Sequence, residues 1–132
     1  MVSKEDYANL FKPTPLAYLT NIEIDSESDH DVIFSEENPL VMPSTGYLRV
    51  AVVVKEGRGA TLWMYVFNEV FPPQNNMTYE LFHFDEDTMY VRDLLVREGD
   101  CVYFEVGYDV GRNPAIAIFD LSLINTLGAL QW

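Results

Sequence analysis

Apolar and polar residues alternate with a period of two through much of the chain after residue 44. From Tyr47 to Lys55, the side chains of Leu48, Val50, Val52 and Val54 share one face of an extended segment, and Tyr47, Arg49 and Lys55 share the other. Thr61 to Phe67 repeats the pattern, with Leu62, Met64 and Val66 on one face and Trp63, Tyr65 and Phe67 opposite. Tyr79 to Phe84 predicts a third strand, and Val102, Phe104 and Val106 mark the inner face of a fourth. Ala115 to Leu121 predicts a fifth, with Ile116 and Ile118 inward. Between these segments lie turn residues: Gly57 and Gly59, the Phe71 to Asn76 stretch, Glu98-Gly99-Asp100, and Tyr108 to Pro114 with Gly111 and Asn113. Val91 to Val96 lacks clean alternation and reads as a short helical or irregular connection. No internal repeat and no long helical pattern interrupt this series. The expectation is an all-β domain, a small closed barrel or a sandwich, because closure hides strand edges in so short a chain.

Composition divides the chain near residue 44. Residues 1–44 hold nine acidic and two basic side chains and four of the seven prolines, Pro13, Pro15, Pro39 and Pro43. The acidic run from Asp25 to Asp31 repels itself and has little to bury, so it reads as a solvated loop or disordered segment. Around it, Leu16 to Ile24 alternates loosely like a strand, Val32 to Phe34 forms a short apolar piece, and Asp6 to Phe11 suits one helical turn. The domain reading is therefore an acidic, partly disordered segment over 1–44, a β-barrel over 45–124 and a short tail over 125–132.

The charge narrows the function. With 132 residues, 21 acids and 8 bases the formal net charge is −13. Nucleic-acid affinity grows with the number of phosphates neutralised, so this balance opposes a strong nonspecific nucleic-acid binder and an anionic membrane partner. Residues 45–132 carry 12 acids and 6 bases, a net of −6, and Arg49, Lys55 and Arg58 supply half of those bases within ten residues. No run nears the roughly 20 apolar residues of a membrane helix. No basic patch followed by an apolar stretch opens the chain, so no secretory signal is expected. The one cysteine, Cys101, forms no internal disulfide and no cysteine-based zinc site. An intracellular location, cytoplasmic or nuclear, is the expectation.

Three stretches in order resemble a known family. Glu80-Leu81-Phe82-His83-Phe84-Asp85-Glu86 is similar to the Phe-x-His-Phe third strand of cold shock domains. Glu98-Gly99-Asp100-Cys101-Val102-Tyr103-Phe104-Glu105-Val106 resembles their Gly-Asp-x-Val-x-Phe-Glu-Val fourth strand. Asn113-Pro114-Ala115-Ile116-Ala117-Ile118 resembles their closing strand. The resemblance spans Gly46 to Leu121 and implies a five-stranded OB-type barrel with an acidic N-terminal extension. It also implies a degenerate member. In the family, a Lys-Gly-aromatic-Gly-aromatic motif supplies base-stacking rings; here Lys55-Glu56-Gly57-Arg58-Gly59-Ala60-Thr61 stands in its place, with Arg58 and Ala60 at the aromatic positions. Leu81 replaces a further stacking ring, leaving His83 and Phe84. Each base–aromatic stack contributes about 1–3 kcal/mol, so these losses remove most sequence-tolerant affinity. Degenerate copies of this kind serve as structural or protein-contact modules.

Each candidate residue has a functional and a structural reading. Trp63, Tyr65 and Phe67 form an aromatic row that suits a protein interface or a stacking platform; alternatively the Leu16 to Ile24 segment folds over the row and buries it. His83 sits where the family contacts ligand, or else pairs with a neighbouring polar group. With His30 far away in the chain, a histidine metal site is not expected. Arg49, Lys55 and Arg58 suit a phosphate-facing patch or simple solubilising charge. Ser26 and Ser28 precede acids by three residues, as acidophilic kinases prefer, and Asp31 to Glu37 suits a short linear motif. No Ser-His-Asp arrangement, phosphate loop or ligand cluster supports catalysis, and pairs such as Asp85 and Asp87 arise by chance at this acid content.

The expectation is a non-enzymatic interaction module without a cofactor, contacting a protein within an RNA–protein regulatory complex. One alternative is single-stranded RNA or DNA binding through Trp63, Tyr65, His83 and Phe84, with Arg49, Lys55 and Arg58 on phosphates. Another is an acidic decoy that mimics nucleic acid in a basic protein groove. The sequence leaves the oligomeric state open.

Overall fold

The computed structural model describes residues 12–23, 30–55, 60–68, 76–84, 89–107 and 115–125. Several sequence readings fall outside them: the Asp6 to Phe11 turn, the acidic run from 25 to 29 with Ser26 and Ser28, Arg58, Asp85 and Asp87, the loops 71–75 and 108–114, and the tail beyond 125.

Nine strands account for most of the described residues: β1 (Thr14–Glu23), β2 (His30–Ile33), β3 (Leu40–Val41), β4 (Gly46–Lys55), β5 (Ala60–Phe67), β6 (Met77–Phe84), β7 (Met89–Val96), β8 (Cys101–Gly107) and β9 (Ala115–Asn125). They form two antiparallel sheets. The first has the order β1-β9-β4-β7; the second has the order β2-β8-β5-β6, with β3 continuing along the same edge of β8 as β2. The pairings are nested. β1 pairs β9, β2 and β3 pair β8, β4 pairs β7, and β5 pairs β6, as in one long hairpin whose bend lies between β5 and β6. Two side pairings, β4 with β9 and β5 with β8, roll that hairpin into a sandwich. This is the jelly-roll arrangement, in which two packed sheets are built from such nested pairs.

The closed five-stranded barrel expected from the sequence is therefore corrected to an open-edged, two-sheet sandwich. All five expected strands are present, and β1, β2, β3 and β7 are added to them. β7 escaped the periodicity reading because it carries apolar side chains on both faces: Leu94 and Val96 are buried, whereas Met89, Val91 and Leu95 are exposed. β1, β2 and β3 come from the acidic third, so the change in composition near residue 44 falls between β3 and β4, within the sandwich. β1 lies beside β9 at the edge of the first sheet rather than over the aromatic row of β5.

The inward faces follow the alternation. Leu48, Val50, Val52 and Val54 of β4 meet Leu62, Met64 and Val66 of β5 and Val102, Phe104 and Val106 of β8 in one buried core. Phe104 of the second sheet and Phe119 of the first meet edge to face, with ring centroids 5.0 Å apart and planes at 78°. The expected inward pair Ile116 and Ile118 holds only for Ile116, which is buried. A register shift between Val53 and Val54 leaves Ala117 without a partner on β4, so the inward position passes from Ile118 to Phe119.

Two glycines meet specific backbone demands. Gly46 starts β4 where the chain passes so close to β9 that a Cβ would overlap the Ile124 carbonyl. Gly99 has φ +87° in the turn from β7 to β8, a conformation with little penalty only for glycine. Asp100 holds this turn: its carboxylate accepts the Arg97 backbone N–H at 2.8 Å and the Asn68 side-chain amide at 3.1 Å. The Met42 N–H donates to the Asp100 carbonyl at 2.8 Å, and the Gly99 N–H donates to the Met42 carbonyl at 2.9 Å, tying β3 to the same corner. Asp100 and Asn68 are both buried, and their mutual bond offsets the cost of burying polar groups.

Candidate functional site

The strand alternation that sends Leu62, Met64 and Val66 inward turns Trp63, Tyr65 and Phe67 onto the outer face of the second sheet, where all three are half-buried. On the adjacent β8, the burial of Val102, Phe104 and Val106 likewise turns Tyr103 and Glu105 outward. Register then aligns them: Tyr65 lies opposite Tyr103, and Trp63 opposite Glu105. The Tyr65 and Tyr103 rings stack with centroids 4.8 Å apart and planes 7° from parallel, and Phe67 meets Tyr103 edge-on at 6.3 Å.

The loop between β2 and β3 reaches this face for a topological reason. β2 pairs with Phe104 to Gly107 of β8 and β3 with Cys101 and Val102, so the connecting residues 34–39 pass opposite Tyr103. Ser35 and Asn38 exchange backbone hydrogen bonds at 3.2 and 3.3 Å and fix the loop. Phe34, at φ 61°, turns the chain out of β2, an uncommon conformation for so bulky a side chain. A shallow depression of about 240 Å³ results, bordered by Glu36, Tyr65, Phe67, Asn76, Thr78 and Tyr103. No lysine or arginine borders it among the described residues.

The surroundings of the stacked rings are electronegative. Burial, then a hydrogen bond and negative charge from Glu105, push the Tyr65 phenol above its ordinary pKa. Burial raises Tyr103 likewise, followed by the charges of Glu36, Glu105 and Glu37. Each factor disfavours the phenolate. The site is therefore an aromatic floor ringed by carboxylates, suited to receive a cationic group.

The other candidate residues lie elsewhere. Phe84 is fully buried and Leu81 nearly so; both belong to the core rather than to an interaction face. Phe84, Phe82 and Tyr90 form a ring cluster between β6 and β7, with centroids 5.2 to 6.4 Å apart. His83 is exposed, with Nδ1 3.0 Å from Thr61 Oγ1 across the β5–β6 pair. Arg49 projects from the outer face of the first sheet and makes two 2.9 Å hydrogen bonds to the Asp93 carboxylate. Lys55 is exposed at the end of the same strand. Arg49 and Lys55 thus lie on the opposite face of the sandwich from the aromatic row. Cys101 is half-buried, with its thiol 3.7 Å from the Gly99 carbonyl. No group of three metal-ligating side chains occurs among the described residues.

Tyr103 was not singled out by the sequence, and Glu36 entered only within the Asp31 to Glu37 stretch read as a short linear motif. The alternation around Val102, Phe104 and Val106 carries the signal for Tyr103, but only the β5–β8 register places it on Tyr65. Glu36 joins the site through the β2–β8 and β3–β8 pairings, which no local pattern encodes. No family model, curated protein or solved structure matches this chain.

Proposed function

We propose that this protein is a non-enzymatic interaction module that receives a basic segment of a protein partner on the outer face of its β2-β8-β5-β6 sheet. The observation that carries this reading is the stacked Tyr65–Tyr103 pair with Phe67, bordered by Glu36 and neighboured by Glu37 and Glu105. Guanidinium and ammonium groups are attracted to aromatic faces and pair with carboxylates. Aromatic side chains are also enriched at protein interfaces. RNA-binding proteins, basic because they hold phosphates, are one source of such segments. Single-stranded nucleic acid suits the face less well, because Arg49 and Lys55 project from the opposite sheet and the bordering charges repel phosphate.

Crosslinking followed by quantitative affinity purification tests the reading, comparing wild type with Tyr103→Ala and Trp63→Ala. The expected result is a discrete basic protein recovered with wild type and depleted at least tenfold with both variants, with retention weakening as salt rises. Equal recovery by all three removes the reading. Retention of labelled single-stranded RNA at low salt, lost in the same variants, would favour the nucleic-acid alternative.

A further inference from the structure

The opposite face of the sandwich carries a second, chemically different surface. Antiparallel register sets the outward side chains of the first sheet in rows across its strands. Ile124, Tyr47 and Leu95 form one row, Pro15, Ser122, Arg49 and Asp93 the next, then Tyr18, Asp120, Ala51 and Val91, then Thr20, Ile118, Val53 and Met89, and finally Glu23, Ala115 and Lys55. Three of these rows are largely apolar, and several of their members are exposed: Leu95 is 61% exposed, Met89 63%, Tyr18 61% and Tyr47 45%. Exposed apolar side chains grouped on one face of a folded domain, here around the polar Arg49 row, suit an interaction surface.

Charge selects the occupant. The chain as a whole carries −13, so two copies repel over most of their surface. On this face the charges that the register places come close to balance: Arg49 and Lys55 against Asp93, Asp120 and, at the end of β1, Glu23. Arg49 and Asp93 already neutralise each other at 2.9 Å in the middle of the face. A copy of the same chain therefore meets least repulsion here. A strongly basic partner is drawn instead to the carboxylate-ringed face opposite. A sheet face can also serve a two-fold contact, in which the same patch serves both partners.

We infer that the outer face of the β1-β9-β4-β7 sheet is a homodimer interface. Four strands about 4.8 Å apart, each contributing about eight residues at roughly 3.4 Å, make a face of roughly 500 Å². That lies below the roughly 800 Å² per partner of standard stable complexes, so the dimer forms at micromolar or higher concentration. The inference is independent of the proposed partner site on the other sheet.

Sedimentation velocity from about 1 to 300 μM tests it, at low and at high salt. The expected weight-average mass rises from the 15.2 kDa of one chain toward twice that value. Raising salt strengthens the association, because screening relieves repulsion between the acidic copies. Leu95→Glu and, separately, Met89→Glu weaken it at least tenfold, while circular dichroism and thermal melting stay near wild type because both side chains are exposed. Tyr103→Ala on the opposite face leaves it unchanged. A chain that stays monomeric at the highest concentration and salt overturns the inference. So does a dimer indifferent to both glutamate substitutions, or one abolished by Tyr103→Ala.

Discussion

Phe104 and Phe119 provide the most direct test of how the two sheets meet. Phe104 belongs to β8 and Phe119 to β9, both are fully buried, and their rings form an edge-to-face pair with centroids 5.0 Å apart. Truncation to alanine at either position costs about 3–5 kcal/mol from lost burial and the cavity left behind. Against a total stability of about 5–15 kcal/mol, a double alanine variant leaves little folded protein to measure. Leucine is the better probe. Each Phe→Leu change removes the ring but keeps much of the volume, and costs about 2–2.5 kcal/mol at roughly 0.8 kcal/mol for each of the three buried carbons lost. The aromatic contact itself contributes about 0.5–1.5 kcal/mol beyond area. It is lost in either single variant, so the double variant is destabilised by less than the sum of the singles, by about that amount. Urea unfolding of wild type, both singles and the double, followed by circular dichroism and fitted with a common slope, measures the coupling. Additivity to within about 0.3 kcal/mol would refute the edge-to-face contact, and with it this packing of β8 against β9.

Other consequences are local. Gly46→Ala drives a Cβ into the Ile124 carbonyl at the β4–β9 contact; the expected cost is about 1–3 kcal/mol, read as a lower urea midpoint. Asp93 is held below the ordinary carboxylate range by the hydrogen bond from Arg49, then by its charge, with burial opposing. Because its folded pKa is depressed, its stabilisation holds above the ordinary value and is lost as pH falls through the folded one. Both side chains are more than a third exposed, so Asp93→Asn costs only about 0.5 kcal/mol at neutral pH. That difference from wild type disappears in acid, as pH-dependent urea midpoints show. Tyr65 and Tyr103 have raised phenol pKa values, so their contribution is complete below the ordinary value of about 10 and is lost as pH rises through the folded ones. Ultraviolet absorbance titration, with Tyr103→Phe to assign the transition, shows Tyr103 ionising late. Glu36→Gln brings that transition down, since Glu36 is among its causes.

The inward faces were legible because an extended chain has a period of two and a half-buried strand must send alternate side chains into the core. Leu48, Val50, Val52 and Val54, then Leu62, Met64 and Val66, then Val102, Phe104 and Val106 are all buried as the alternation requires. The outward aromatic row on β5 followed from the same rule. β7 did not, because apolar residues on its exposed face blur the period; nor did Phe119, because the bulge at Ala117 shifts the inward parity. Charge was legible as a sum but not as a distribution: Arg49, open from the sequence to a phosphate-facing patch or to simple solubilising charge, is paired with Asp93 on the sheet opposite the aromatic row.

What the sequence determined by itself is thus the strand character and the inner face of most elements, since both are local properties of neighbouring residues. Only the tertiary structure decided the rest. Alternation is the same in a barrel and in a sandwich, and pairing β1 with β9 joins residues about a hundred positions apart in the chain. Those long-range pairings place Tyr103 on Tyr65 and pass the loop bearing Glu36 beside them. They also set an acidic aromatic face and a nearly neutral, apolar-rich face on opposite sides of one small domain.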